Sequence, residues 1–369
     1  MAIPLLDLQT QHQSIREEID AAVSEVFVSQ QFIGGAKVEA LERALAQYAG
    51  VPHAVGVASG TDALLLLLKA AGAGPGTEVI TTPFTFFATA GAIFNAGARP
   101  VFVDIEPETY NIDAAQIEAR MTGRTRAIIP VHLFGQCADM DPILDLAKRH
   151  DVVVIEDAAQ AIGARYKGRP ACSMGHAGAL SFFPSKNLGG AGDGGMVVTR
   201  DAALEAGVRL LRNHGASRTY FHDIVGTNSR LDALQAAVLL VKLRHLDQWS
   251  EARRANAAYY DEEFADVPEV VTPFVSPDCH HVYNQYVIRV PERERARALF
   301  AERGIGCAVY YPRSLHRQQC FLELGYPEDA FPHSNAACDD VLALPVFPEL
   351  TREQQDEVIR AVKDHLSAL

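Results

Sequence analysis

The sequence predicts an α/β protein in two parts: a large domain on a mixed, mostly parallel sheet, then a small C-terminal α/β domain. Three observations carry this. At 369 residues the chain exceeds the size at which one hydrophobic core keeps growing. Between His53 and Glu156, short apolar runs alternate with helical patterns, the rhythm of parallel strands covered by helices on both faces. From about Arg230 to Phe264 a helical pattern continues long enough to bridge two domains. The boundary is placed there, giving residues 1–245 and 246–369.

Taken in order, Ile15, Ile19, Val23 and Phe27, then Val38, Leu41, Leu45 and Tyr48, mark two amphipathic helices. Paired glycines in Phe32-Ile33-Gly34-Gly35 break them apart. Strands are expected over His53–Val57, Glu78–Thr82, Pro100–Asp104, Arg126–Val131 and Val152–Glu156. The helices between them are expected over Thr61–Ala71, Phe86–Asn95, Asp113–Met121 and Met140–His150. Two further strands, Gly178–Phe183 and Gly195–Thr199, flank a glycine-rich loop. After the bridging helix, Gln285–Val290, Glu292–Arg303, Gly306–Tyr310 and Arg352–Leu366 outline the small domain.

Apolar residues make up 48% and charged residues 21%, a globular rather than a disordered profile. The net charge of −13 argues against a nucleic-acid or anionic-membrane surface. Met1 to Leu8 has no basic or apolar leader, and the apolar runs Ala63–Leu68 and Ala236–Val241 stop at Lys69 and Lys242, so a cytoplasmic protein is expected. The six cysteines form no CxxC pair and are read as reduced and structural. Cys279-His280-His281 is not expected to bind a metal, because adjacent side chains do not readily face one ion.

In open α/β sheets ligands gather beyond the carboxyl ends of the strands, and four segments there carry chemistry. Ser59-Gly60-Thr61-Asp62 opens a helix with free amides and a hydroxyl, which suits a phosphate and equally suits a plain N-cap. Glu156-Asp157 places two carboxylates at the end of an apolar strand, costly unless a cation or donor awaits one of them. Consecutive strand residues face opposite ways, so a shared acid/base role is not expected. Lys186 follows a buried strand and precedes small residues, fitting a desolvated amine nucleophile or an ordinary loop lysine. Gly226-Thr227-Asn228-Ser229-Arg230 opens the long helix and could serve only as its cap.

Together the motifs Ser59-Gly60-Thr61-Asp62-Ala63-Leu64, Glu156-Asp157-Ala158-Ala159-Gln160, Ser181-Phe182-Phe183-Pro184-Ser185-Lys186 and Asn228-Ser229-Arg230-Leu231-Asp232 resemble the DegT/DnrJ/StrS family of pyridoxal-phosphate-dependent sugar aminotransferases. The likeness runs from Pro4-Leu5-Leu6-Asp7-Leu8 to Leu344-Pro345-Val346-Phe347-Pro348. Pro130-Val131-His132-Leu133-Phe134-Gly135-Gln136 and Tyr310-Tyr311-Pro312 look closest to members that aminate 3-keto nucleotide sugars, such as the UDP-2-acetamido-3-keto-hexuronate aminotransferases.

The resemblance implies the aspartate-aminotransferase-like fold type I, with pyridoxal phosphate as a Schiff base on Lys186. It implies that Asp157 pairs with the ring nitrogen, Gln160 meets the 3-oxygen side and Phe86 stacks on the ring, although Phe86 reads almost as well as core. The Pro placement in Thr81-Thr82-Pro83-Phe84 departs from the usual pattern and bears on which phenylalanine stacks. Gly60, Thr61 and Ser181 would hold the phosphate, joined by Asn228 of the partner subunit in a homodimer with shared sites. Arg230 would complete the partner's site or else form a surface salt bridge, and Tyr310, Tyr311 and His316 would contact the sugar nucleotide. His132 is read as a satisfied strand-end histidine. The implied reaction passes an amino group from L-glutamate to a keto nucleotide sugar in two half-reactions. A 4-keto or keto-cyclitol acceptor and a non-catalytic regulator on the same fold are the rival readings.

Overall fold

The computed structural model describes residues 2–369; Met1, the first residue of the segment read for a leader, lies outside them. Helix α1 (Leu8–Ser29) starts where the Asp7 carboxylate accepts from the amides of Gln9 and Thr10. Gly34 and Gly35 then take φ of 66° and 75°, a left-handed pair that only glycine adopts without strain, and α2 (Gly35–Ala49) leaves in a new direction. No helix among the described residues is long and apolar enough to cross a membrane.

Seven strands make the central sheet: β1 (His53–Val57), β2 (Glu78–Thr81), β3 (Arg99–Phe102), β4 (Thr125–Ile128), β5 (Val153–Asp157), β6 (Ala177–Ser181) and β7 (Gly195–Thr199). Their order is β1-β7-β6-β5-β4-β2-β3. All neighbours run parallel except β7, which is antiparallel to both β1 and β6. The reversal has a functional consequence. Gly195, the first residue of β7, sits opposite Val57 and Ser181, the last residues of β1 and β6, so the glycine-rich loop reaches the edge where the parallel strands end.

Helices cover both faces. Residues of α2, α5 (Met140–His150) and α7 (Ala233–Leu243) share one apolar core with the sheet. Residues of α3 (Gly60–Ala70), α4 (Phe87–Asn95) and α6 (Ala202–Leu211) share the other. Burial of these aliphatic side chains, each contributing about 1.5–3 kcal/mol, is what commits the strands to near-continuous apolar runs. A separate core gathers α8 (Leu246–Phe264), α9 (Arg293–Glu302), α11 (Arg352–Ser367) and the antiparallel pair β8 (Tyr286–Arg289) and β9 (Val341–Leu344). Ile3 belongs to it, exchanging backbone hydrogen bonds with Gly304 and Gly306, so the chain's first residues pack with its last third.

The bridging helix is two helices, not one: α7 ends at Leu243 and α8 begins at Leu246, and the bend lets α7 pack on α1 and α2 while α8 packs on α11. The helix expected over Asp113–Met121 is a pair of single 3-10 turns, Ala114–Gln116 and Glu118–Arg120, with Ile117 between them as the buried anchor. Gly306–Tyr310 is no strand; only Ala308 bridges to Ala343. Helices α6 and α10 (Pro332–Asp340) and strand β9 had no counterpart in the expected elements.

Candidate active site

The carboxyl edge of the sheet assembles the site because β1, β5 and β6 end together and β7 starts there. At the end of β5 the two carboxylates part. Glu156 is fully buried and accepts from the amides of Cys172 (2.7 Å), Met174 (2.8 Å) and Gly175 (2.6 Å), and from His132 Nε2 at 2.8 Å. His132 Nδ1 accepts from the Ala138 amide (3.1 Å), which places the ring proton on Nε2. Glu156 and His132 are therefore a structural pair that ties the loop after β4 to the turn before β6. Asp157 points the other way, into the site.

Asp157 is buried, and burial pushes its carboxyl upward from the ordinary range. The Thr89 hydroxyl, 2.8 Å from Oδ2, the Ala159 amide, 3.2 Å from Oδ1, and the charge of Lys186 pull against that rise. Lys186 follows a tight turn in which its own amide donates to the Phe183 carbonyl. Its side chain is only partly open to solvent, and desolvation lowers its amine from 10.5 to about 8, with Asp157 opposing. An amine of lowered basicity, readier than an ordinary lysine to shed its proton and attack a carbonyl, therefore lies in the field of a buried carboxylate.

The second wall is the start of α3. Ser59 caps the helix through the Asp62 amide (3.1 Å), and Asp62 in turn accepts from Ser229 (2.7 Å). A Cβ on Gly60 would stand 2.7 Å from Ser181 Cβ, so the absence of a side chain is what lets β6 and the helix start close together. Thr61 and Ser181 are both partly exposed at this junction. Gly60→Ala is expected to force the junction apart and weaken cofactor binding about tenfold or more, measured by equilibrium dialysis of the folded apoprotein. Unchanged affinity would remove Gly60 from the cradle.

Gln160 is oriented by the fold. Its Oε1 accepts from the Phe134 amide (2.8 Å), so its Nε2 must be the end that reaches Tyr311 Oη, at 3.1 Å. Tyr311 packs edge-on against Phe84, ring centres 5.9 Å apart. Phe84 is fully buried, whereas Phe86 is 58% exposed with its ring 6.4 Å from that of Tyr311. Of the two phenylalanines, Phe86 has a free face and Phe84 is core. Tyr310 lies half-buried beside Tyr311.

The remaining candidates stand apart. Asn228 and Arg230 are exposed, and the Arg230 guanidinium reaches Asn213 Oδ1 (3.3 Å) of its own chain. His316 is buried away from this group: its Nε2 donates to the Glu328 carbonyl (3.1 Å) and its ring packs on Phe331, because the Leu315 amide anchors the segment to the Pro83 carbonyl. Thr89, which bonds Asp157, and Thr85, which bonds Thr89, were not singled out from sequence. Their one signal is a pair of hydroxyls four residues apart at a helix start.

These residues fit pyridoxal phosphate: an amine of lowered basicity, a buried carboxylate with capacity left for a protonated ring nitrogen, and a glycine cradle at a helix start for a phosphate. With this sheet, they define the class of fold-type-I pyridoxal-phosphate enzymes. The chain belongs to the DegT/DnrJ/EryC1/StrS aminotransferase family, whose model matches residues 13–363. It is 50% identical to a pleiotropic regulatory protein of Geobacillus stearothermophilus, over 99% of this chain and 98% of that one. It is 45% identical to a UDP-N-acetyl-3-dehydro-alpha-D-glucosamine 3-aminotransferase of Acidithiobacillus ferrooxidans, over 98% and 97%. The crystal structure of Streptomyces venezuelae DesV in complex with a ketimine intermediate superposes with a TM-score of 0.96 at 42% identity, covering 98% of each chain.

Proposed function

We propose that the chain is a pyridoxal-phosphate-dependent aminotransferase that moves an amino group from L-glutamate to the 3-keto position of a UDP- or dTDP-linked sugar. The observation that carries this is the desolvated Lys186 amine in the field of the buried Asp157 at one sheet edge, beside the Gly60 helix start. When bound, the cofactor supplies an electron sink for the carbon that loses or gains a proton. Lys186 would move that proton, Asp157 would face the ring nitrogen, Gln160 would offer its free N–H to the 3-oxygen, and Phe86 would cover the ring. Gly60, Thr61 and Ser181 would hold the phosphate, while Tyr310 and Tyr311 would face the acceptor sugar. His316 acts behind them, fixing the segment that carries both tyrosines. A purely regulatory role, such as the name of the Geobacillus stearothermophilus relative suggests, leaves a lysine of lowered basicity in the field of a buried carboxylate without a purpose.

Acceptor position is tested in reverse, by offering 3-amino and 4-amino nucleotide sugars with 2-oxoglutarate. Turnover of the 3-amino sugar is expected; turnover of the 4-amino sugar alone would overturn the 3-keto reading.

The working unit in this reading is a homodimer with shared sites, each subunit divided into a large domain of 1–245 and a small one of 246–369, against which the first residues around Ile3 pack. Support comes from Asn228 and Arg230, which stand exposed near Tyr220 and Val225, 90% and 94% exposed. Asn228 would then meet the partner's phosphate. If so, mixing inactive Lys186→Ala and Asn228→Asp chains restores about a quarter of wild-type activity, since half of randomly formed dimers regain one of two sites. No recovery after subunit exchange would show that Asn228 serves its own subunit.

A further inference from the structure

The carboxylate that faces the cofactor ring is itself held by a two-hydroxyl chain. Thr89 is fully buried and its Oγ1 lies 2.8 Å from Asp157 Oδ2; Thr85, also buried, places its Oγ1 3.0 Å from Thr89 Oγ1. An ionised carboxylate only accepts, so Thr89 donates its single proton to Asp157, and the bond to Thr85 must be one in which Thr85 donates. The direction is set: Thr85 to Thr89 to Asp157. Valine would fill the same space at either position, and a buried hydroxyl costs free energy unless it is bonded, so packing alone does not account for the two hydroxyls.

We infer that Thr89, backed by Thr85, is a positioning residue that keeps Asp157 ionised and aims its remaining lone pairs at the cofactor's ring nitrogen. The inference rests on the reading that Asp157 meets that nitrogen. The groups bearing on Asp157 are few: the hydroxyl of Thr89, the amide of Ala159 and, at greater distance, the charge of Lys186 and the ring of His132. Burial drives the carboxyl toward its neutral form, and Thr89 is the side chain that opposes this by direct contact. Each donor in the chain polarises the next, so loss of Thr85 weakens the bond that Thr89 makes.

The test uses holoenzyme loaded with pyridoxal phosphate carrying 15N in the ring, and apoprotein titrated with pyridoxal phosphate or its 1-deaza analogue, which lacks the ring nitrogen. In wild type the ring nitrogen should resonate as protonated, and the natural cofactor should bind more tightly than the analogue. Thr89→Val is expected to move the resonance toward unprotonated pyridine and to reduce that preference about tenfold or more. The rate constant kcat should fall with little change in KM for the amino donor, and Thr89→Ser should restore all three. A merely structural role would weaken both ligands alike. Thr89→Val with wild-type resonance and preference at full occupancy would overturn the inference. Should that variant not fold, Thr85→Val must show the same changes at smaller size, and unchanged values there would overturn it as well. A neutral ring nitrogen in wild type would instead refute the placing of Asp157.

Discussion

Lys186→Ala is expected to lose at least about 10⁴-fold in turnover and, with it, the near-ultraviolet to visible absorbance of the lysine-bound cofactor. In the proposed function this amine both holds the cofactor and carries a proton, so one substitution removes two tasks. A protein of full colour after this substitution would show that a different amine is used. The lowered amine makes a second part of the same prediction. Apoprotein should capture added pyridoxal phosphate at a rate that rises with pH and levels off above about 8, because below that value Lys186 carries a proton and has no lone pair to offer. A midpoint near the ordinary 10.5 would mean that the side chain is fully hydrated.

Asp157→Asn is the second substitution of large effect, expected to lower kcat about 10³-fold or more while the chain stays folded. The asparagine fills the same volume but offers no negative charge to keep the ring nitrogen protonated. It also removes the anion that raises the Lys186 amine, so the capture midpoint should fall below about 8. This shift separates an electrostatic role for Asp157 from a packing one. A capture profile identical to wild type would show that the two groups do not interact.

Much of this site could be read along the chain because its parts are local. The Ser59-Gly60-Thr61 helix start, the strand ending in Glu156-Asp157 and the lysine after β6 are each contiguous, and alternation of apolar runs places all three at the same sheet edge. Strand alternation alone left which carboxylate faces the site as a choice between two, and only the family resemblance pointed to Asp157. The choice was made by the turn at Cys172, Met174 and Gly175, whose amides enclose Glu156 from a segment some twenty residues later. His316 shows the converse. It sits in the same loop as Tyr311, yet the anchor between Leu315 and Pro83 turns it into the interior.

By itself, then, the sequence determined the alternating α/β order, the break at Gly34-Gly35 and the identity of the residues able to do the chemistry, since periodicity, glycine φ and side-chain type are properties of short segments. The tertiary structure alone decided that β7 runs against its neighbours, that the bridging helix bends between α7 and α8, and that Phe86 rather than Phe84 keeps a free face. It also decided that Thr89, backed by Thr85, meets Asp157, 68 residues after Thr89. These outcomes depend on which surfaces pack together and which polar groups find partners once water is excluded, and that pairing is settled across the whole chain rather than within any one segment of it.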